Sequence, residues 1–279
     1  MESLERLFPK LPLGETVVSF VDLLKENLSG LFKIITNSIE FLTKGFIQLM
    51  ELPPPLIMII IIGLLAWWIA GWKMGIFTLI GLGLINNLEY WPETIETLSL
   101  VLISVIIAMI IGVPVGIWMS QNRTVQSVVT PILDFMQTMP AFVYLIPSVV
   151  FFGIGMTPGI IATIIFSMPP TVRLTNLGIR QVDAELIEAS NAFGSTVGQR
   201  LGKIQLPLAM PQIMAGVNQT IMLSLSMVVI ASLVGAPGLG EDVYRAVTQV
   251  KIGMGFEAGI SLVILAMILD RVTQGASSK

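Results

Sequence analysis

The sequence of 279 residues contains no cysteine and no histidine, and only 12% of its residues are charged. Without cysteine the chain forms no disulfide and offers no thiolate to a metal, and without histidine it lacks the most common catalytic base and metal ligand. The net charge of -3 and the absence of a basic run argue against nucleic-acid binding, which needs many phosphate contacts. These absences predict no catalytic residue, no metal site and no cofactor bound by this chain.

Hydrophobic residues are abundant instead, at 54% of the chain, with a mean hydropathy of +0.87. These values lie well outside the averages of soluble domains. A membrane-spanning helix needs about 20 mainly apolar residues, and the apolar runs here are continuous rather than alternating, unlike those of a β-barrel. The sequence therefore predicts an all-α membrane protein. The charged first twenty residues predict no cleavable signal peptide.

Residues 1–52 are predicted to form an arm that faces water or the membrane interface, because they are richer in charge than the rest. Between Leu28 and Leu49, apolar residues recur at steps of three and four with polar residues between them. This spacing predicts an amphipathic helix that lies on lipid or against the bundle and ends at the prolines 53–55. A regulatory or partner site on the arm is the alternative.

A membrane domain is predicted over residues 53–272, followed by a short tail at 273–279. Its apolar segments predict about seven spans, at residues 55–72, 74–88, 94–119, 128–152, 158–178, 210–234 and 255–270. Basic residues concentrate on one side of the alternating loops, which predicts that this side is cytoplasmic. Residues 183–207 and the C-terminus are then expected inside the cell, and the N-terminus outside.

Glycine and proline interrupt several of these segments. Gly112 and Gly116 form a G-x-x-x-G pattern, for which helix packing is the favoured interpretation. Prolines at 140 and 169–170 predict breaks in the fourth and fifth segments, and transporters place such breaks near the substrate path. Polar or soft residues on segments four to six are therefore candidates for the path, although each alone could serve packing: Gln137, Thr138, Met139, Ser167, Met168, Asn218, Ser224 and Ser226.

Asp134 is the only acidic residue well inside a predicted span, and such residues are functional candidates by default. Pairing with Arg173, at the cytoplasmic end of the next span, would neutralise both charges and join two helices. The sequence favours this structural ion pair over a proton relay, because no second buried carboxylate or histidine is available to pass a proton on.

A polar segment at residues 183–207 separates two long apolar runs and is the most informative part of the chain. It is predicted to form a short helix, a sharp turn at Gly194 and a second turn with Arg200 and Lys203 that stops at Pro207. Such a helix-turn-helix at a membrane surface is suited to docking a partner. Since Gly194 and its neighbours do not match a phosphate-binding loop, ATP-driven transport would need a nucleotide site on another chain.

The segment resembles the E-A-A-x-x-x-G-(nine residues)-I-x-L-P signature of permease subunits of bacterial ABC importers. Six positions match at the required spacing, and Ser190 replaces the third residue of the signature; the matches are Glu188, Ala189, Gly194, Ile204, Leu206 and Pro207. Stretches at 137–147, 167–173 and 234–240 resemble the glycine betaine/proline permease family. The resemblance covers about residues 55–270.

The resemblance implies the transmembrane domain of a type I ABC importer for osmoprotectants such as glycine betaine, in the bacterial inner membrane. It implies a second permease copy, two cytoplasmic subunits that bind ATP and Mg, and an extracytoplasmic substrate-binding protein. It assigns ATPase coupling to the signature residues and Ser190, and Arg200 and Lys203 are expected to meet acids or carbonyls of the ATPase. Alternatives are a similar importer of other amino acids or metal chelates, and a stand-alone channel or secondary transporter.

Overall fold

The computed structural model describes residues 12–277, so residues 1–11 of the arm and 278–279 of the tail lie outside the described part. Regular structure within those residues is helical. A π turn, Leu201–Gln205, joins α9 to α10. The α-helices are α1 Leu13–Glu51, α2 Pro55–Ala70, α3 Trp72–Asn87, α4 Trp91–Gln121, α5 Arg123–Thr138, α6 Ala141–Phe152, α7 Met156–Arg180, α8 Ala184–Ala192, α9 Val197–Arg200, α10 Leu206–Ser232, α11 Leu239–Thr248 and α12 Ile252–Ser277.

Four helices of the described chain are long and apolar enough to cross a membrane: α4, α7, α12 and the rod of 36 residues from Val197 to Ser232. Two bent pairs, α1 with α2 and α5 with α6, would raise the count to six if each pair were one span. The prediction of about seven spans exceeds this count. One reason is that α2 and α3 contain only 16 residues each, about 24 Å, against a hydrocarbon thickness of roughly 30 Å.

The N-terminal helix α1 is amphipathic, as its periodicity predicts, and its 39 residues begin well before Leu28. It buries Ile39 and Thr43 against the bundle and leaves much of its apolar surface exposed. Phe32 stacks on Phe151 with ring centroids 4.6 Å apart and meets Phe152 edge-on. The axis then turns by 101° into α2 beside the prolines. Helix α1 therefore lies across the direction of α2.

The core is formed where α4, α7 and α10 pack against one another. A Cβ added to Gly116 of α4 would stand 2.6 Å from the Cβ of Thr175, and one added to Gly112 would stand 3.1 Å from Thr171 Cγ2. Close backbone approach of this kind supplies the van der Waals contacts that hold membrane helices together. The packing interpretation of the glycine pattern is confirmed.

Met139 and Pro140 separate α5 from α6, and the two helix axes differ by 100°. Segment 128–152 is therefore a broken helix and not one straight span. Proline lacks a backbone N–H and disfavours a helical residue before it, so the chain bends here.

The prolines Pro169 and Pro170 lie inside the continuous helix α7, so the predicted break at this position is wrong. A hydroxyl group from α10 bonds to the backbone next to them: Thr220 Oγ1 donates to the carbonyl oxygen of Ser167 at 2.9 Å. Neighbouring serine and threonine side chains are a known means by which membrane helices tolerate proline.

Candidate coupling and translocation site

The coupling segment, residues 183–207, begins with the short helix α8 and reverses at Gly194, where φ is +75°. The N–H of Gly194 donates to the carbonyl of Asn191 at 2.9 Å, and the N–H of Ser195 donates to the carbonyl of Ser190 at 3.0 Å. These bonds close the end of α8 in the left-handed conformation that favours glycine. The structure thus has the turn that the sequence predicts at Gly194.

A capping box starts the second half of the segment. The Thr196 hydroxyl accepts from the N–H of Gln199 at 3.3 Å, and Gln199 Oε1 accepts from the N–H of Thr196 at 3.0 Å. Arg200 Nη1 donates to Asn191 Oδ1 at 2.9 Å and ties α9 back to α8. Arg200 therefore braces the turn from within, a role that the sequence does not indicate because Asn191 is nine residues away.

Pro207 does not stop the helix, contrary to the sequence prediction. The N–H of Leu206 donates to the carbonyl of Leu201 across the π turn, and the helical rod continues through Pro207 to Ser232. A π turn shifts the hydrogen-bond register by one residue, so that the proline enters as the first turn of α10. As a result, the second half of the coupling segment and a membrane helix form one continuous element.

The coupling segment exposes a large aromatic side chain at its tip. Phe193 is 91% exposed. Glu188 and Lys203 of the same segment are also exposed and have no ion-pair partner in residues 12–277. Exposed aromatic residues are typical of protein interfaces. The sequence interpretation assigned no role to Phe193, although a lone phenylalanine before the turn glycine of a polar segment was the available signal.

Ser190 stands at the third signature position in place of alanine, and its added hydroxyl group is paired. Ser190 is buried, and its hydroxyl donates to the carbonyl of Ile187 at 2.8 Å. Among the remaining signature residues, Ala189 and Pro207 are exposed, whereas Ile204 and Leu206 are half-buried.

Ser167 and Ser224, two of the path candidates, belong to a hydroxyl network between α7 and α10. Ser224 Oγ donates to Ser167 Oγ at 3.1 Å, and Thr171 Oγ1 lies 2.8 Å from Thr220 Oγ1. All four side chains are 0% exposed. In this conformation the hydroxyl groups bond to each other across a helix contact, which is a packing role.

The candidates at the break between α5 and α6 are more accessible. Gln137 and Thr138 are exposed in the last turn of α5. Met139 is half-buried and packs against a cluster that includes Ala162 of α7 and Met227 of α10. These three residues are therefore brought to one bend beside the core helices.

The remaining candidates are dispersed over other contacts. Asn218 Nδ2 donates to Asp270 Oδ1 at 2.9 Å, and Asn218 Oδ1 accepts from Thr273 Oγ1 at 2.9 Å, so Asn218 joins α10 to α12. Met168 lies close to Gly112 in the contact of α7 with α4. Ser226 is exposed and bonds back to its own helix. The structure does not gather these residues at one place.

Asp134 and Arg173 form an ion pair, with Arg173 Nη2 2.5 Å from Asp134 Oδ1. The pair joins α5 to α7, and a hydrogen bond from Arg180 to Gln126 links the same two helices. The side chain of Asp134 is 56% exposed, and that of Arg173 is 37% exposed. Asp134 therefore lies on the open face of α5, paired with Arg173.

Acidic residues gather at the opposite end of α4 from the coupling segment. The N–H of Leu239 donates to Thr97 Oγ1 at 2.9 Å and fixes α11 on α4. Burial raises the pKa of the Asp242 carboxyl, and the charge of Glu93 raises it further. Burial, followed by the charge of Asp242, raises the pKa of the Tyr90 hydroxyl. Among residues 12–277, no three acidic residues are grouped in a way that could hold a metal ion.

Residues 105–275 match the family model described as the inner membrane component of binding-protein-dependent transport systems. The chain belongs to this family of membrane-spanning transport subunits. A chain of the MetNI methionine ABC transporter, in an inward-facing conformation, superimposes with a TM-score of 0.57 at 25% identity, over 66% of this chain and 90% of that chain. The fold is that of a type I ABC importer permease.

Two relatives are similar along almost their whole length. The glycine betaine transport system permease protein OpuAB of Bacillus subtilis is 55% identical over 271 residues, 97% of this chain and 96% of that protein. The glycine betaine/carnitine transport permease protein GbuB of Listeria monocytogenes is 53% identical over 275 residues, 97% of each chain. The permease family that the sequence motifs predict is confirmed.

Proposed function

We propose that the chain passes glycine betaine, or a closely related compatible solute, from an extracytoplasmic binding protein to the cytoplasm. The observation that carries this proposal is the 55% identity, along 97% of the chain, with a glycine betaine permease. A second relative named for the same solute supports it. Import of unrelated amino acids or of metal chelates is therefore the weaker alternative.

In this proposal the coupling segment is the contact with an ATPase subunit. The exposed Phe193 supplies an apolar anchor, and Glu188 and Lys203 supply charges without partners in the described chain. Because the rod from Val197 to Ser232 is continuous, a displacement of the segment is carried into a core helix. ATP-driven closure of the ATPases would in this way switch the permease between its two access states.

We place the coupling segment and the C-terminus in the cytoplasm, and the arm outside. The end of α4 that carries the coupling segment also has Arg123, Arg180 and Arg200 nearby. The other end carries the acidic residues around Asp242. The excess of basic residues on one side supports a cytoplasmic location for that side.

Solute selection is assigned to the binding protein and not to this chain. A quaternary ammonium is recognised by open aromatic faces through cation-π attraction. The aromatic cluster of Phe32, Phe151 and Phe152 has its rings packed on each other, at 4.6 and 5.5 Å, and leaves no open cage. A path that only passes on a solute without net charge needs no buried ion pair.

The test is uptake of labelled glycine betaine into vesicles that contain the chain, its ATPase subunits and its binding protein. Uptake that depends on ATP and is competed by proline betaine or carnitine is expected. Replacement of the tip residue, Phe193→Ala, should abolish solute-stimulated ATP hydrolysis, whereas Phe41→Ala, which alters another highly exposed phenylalanine, on α1, should not. Uptake of another amino acid in place of glycine betaine, or flux without any ATPase, would refute the proposal.

A further inference from the structure

An apolar cavity of about 220 Å³ lies between the peripheral helix α2 and the core helices α4 and α12. The C-terminal part of α1 closes it with Phe46 and Met50. The other walls come from α2, α3, α4 and α12, with Ala66, Leu82, Leu98 and Leu269 among their lining residues. Its polar side-chain atoms belong to Trp91 and Thr94, and the Thr94 hydroxyl is already bonded to the carbonyl of Tyr90 at 2.7 Å. The cavity therefore offers almost no group to a polar ligand.

Water is a poor occupant of this cavity. A buried water needs two to four polar partners, and cavities lined by apolar side chains stay dry. An empty volume of this size would also deprive the lining side chains of dispersion contacts. Such contacts hold membrane helices together, since lipid supplies no hydrophobic driving force between them.

A protein segment is a poor fit for a cavity of about 220 Å³. A helix of a second copy is roughly 10 Å wide and does not fit between the five helices that line the cavity. The occupant must therefore be thin, flexible and apolar.

We propose that the cavity binds one acyl chain of a bilayer phospholipid. The lining helices α4 and α12 are both long and apolar enough to span the membrane, so lipid hydrocarbon surrounds the cavity. An apolar cavity of about 150 Å³ admits benzene, and this larger one has room for a longer segment of a hydrocarbon chain. The small side chain of Ala66, which is buried among larger residues, leaves that room. The lipid packs the hairpin of α2 and α3 against the core.

Trp91 provides a reporter, because it lines the cavity and is only 7% exposed. The four other tryptophans are exposed and are replaced by phenylalanine: Trp67, Trp68, Trp72 and Trp118. The full chain is placed in phosphatidylcholine vesicles with or without bromine on carbons 9 and 10 of one acyl chain. Brominated vesicles are expected to quench most of the Trp91 fluorescence.

Two cavity-filling variants, Leu98→Phe and Ala66→Leu, narrow the cavity from opposite walls and should each lose most of the quenching. The matched control is Leu64→Phe, an exposed position on α2, which should keep it. Absence of quenching in the parent, or equal quenching in a folded filling variant, would overturn the proposal. Because the two variants alter different helices, misfolding of one leaves the other to decide.

Discussion

Gly194 is the residue at which the coupling segment reverses direction, with φ of +75°. A Cβ at this position would meet nothing within 4 Å, so the backbone conformation and not the available space requires glycine. For an L residue, the left-handed conformation costs about 1–2 kcal/mol. A substitution therefore acts on the angle between α8 and α9 without disturbing the membrane core.

Gly194→Val is expected to abolish solute-stimulated ATP hydrolysis and uptake while the chain still inserts into the membrane, because a β-branched residue strongly disfavours positive φ. The assay is ATP hydrolysis of the reconstituted complex with and without liganded binding protein. Gly198→Val is the matched control, since Gly198 is also uncrowded and lies in a regular helical turn. Unchanged stimulation in Gly194→Val would remove the coupling role.

Thr220 of α10 is bonded to the part of α7 that contains two prolines. It bonds both to the carbonyl of Ser167 and to Thr171. Thr220→Val should lower the free energy of unfolding by about 0.6–1.7 kcal/mol, the range found for interhelical bonds in membranes. Thermal unfolding in detergent measures this, with Ser226→Ala as the control because Ser226 bonds only within its own helix. Altered uptake with unchanged unfolding would instead indicate a hydroxyl on the solute path.

At the scale of whole elements, the continuous helical rod from Val197 to Ser232 contains both the second half of the coupling segment and a membrane-spanning helix. The coupling segment enters it through a π turn, and Leu206 packs into the core cluster of Ile179, Ala209 and Ile213. A partner that moves this segment must therefore also move a core helix. By contrast, the 100° bend between α5 and α6 interrupts any such rigid transmission.

Asp242 lies in helix α11, outside the spanning helices, and is expected to make the stability of the protein depend on pH. The folded protein raises the pKa of Asp242 by burial and by the charge of Glu93, so folding favours the protonated carboxyl. The stabilising contribution is complete below the unfolded pKa, about 3.9, and is lost as pH rises through the higher folded pKa. The ionised Asp242 carboxyl therefore lowers the free energy of unfolding of the wild-type protein at neutral pH.

Asp242→Asn should therefore raise the unfolding temperature at pH 7.5 and give little gain near pH 4. Unfolding of the purified chain followed at both pH values tests this. Glu241→Gln on the same helix is the control, because its side chain is 43% exposed against 12% for Asp242. An equal gain for Asp242→Asn at the two pH values would contradict the role of burial.

For the whole molecule, the two ends of α4 carry opposite charge and different partners in the proposed complex. The family and fold are those of a permease that works with other subunits. We expect the complex to contain two copies of this chain. Co-expression of tagged and untagged chains should recover the untagged copy in a tag purification together with the ATPases, and recovery of the tagged copy alone would contradict a homodimer.

Local features of the sequence predicted much of this structure. The amphipathic period of α1, the turn at Gly194 and the packing of Gly116 each depend on residues a few positions apart or on the absence of a side chain. The rod through Pro207 and the unbroken α7 were not predicted, because the effect of a proline depends on which hydroxyls and hydrogen-bond registers surround it. Phe193 was overlooked because exposure is a property of the folded surface.

The sequence by itself determined the membrane class, the helical fold and the permease family, since apolar runs and a spaced signature are properties of the chain alone. Only the tertiary structure decided which polar residues are bonded to each other. Ser167 and Ser224 lie 57 positions apart and meet because α7 and α10 pack closely. The same holds for the apolar cavity beside Trp91, whose walls come from helices that are distant in sequence.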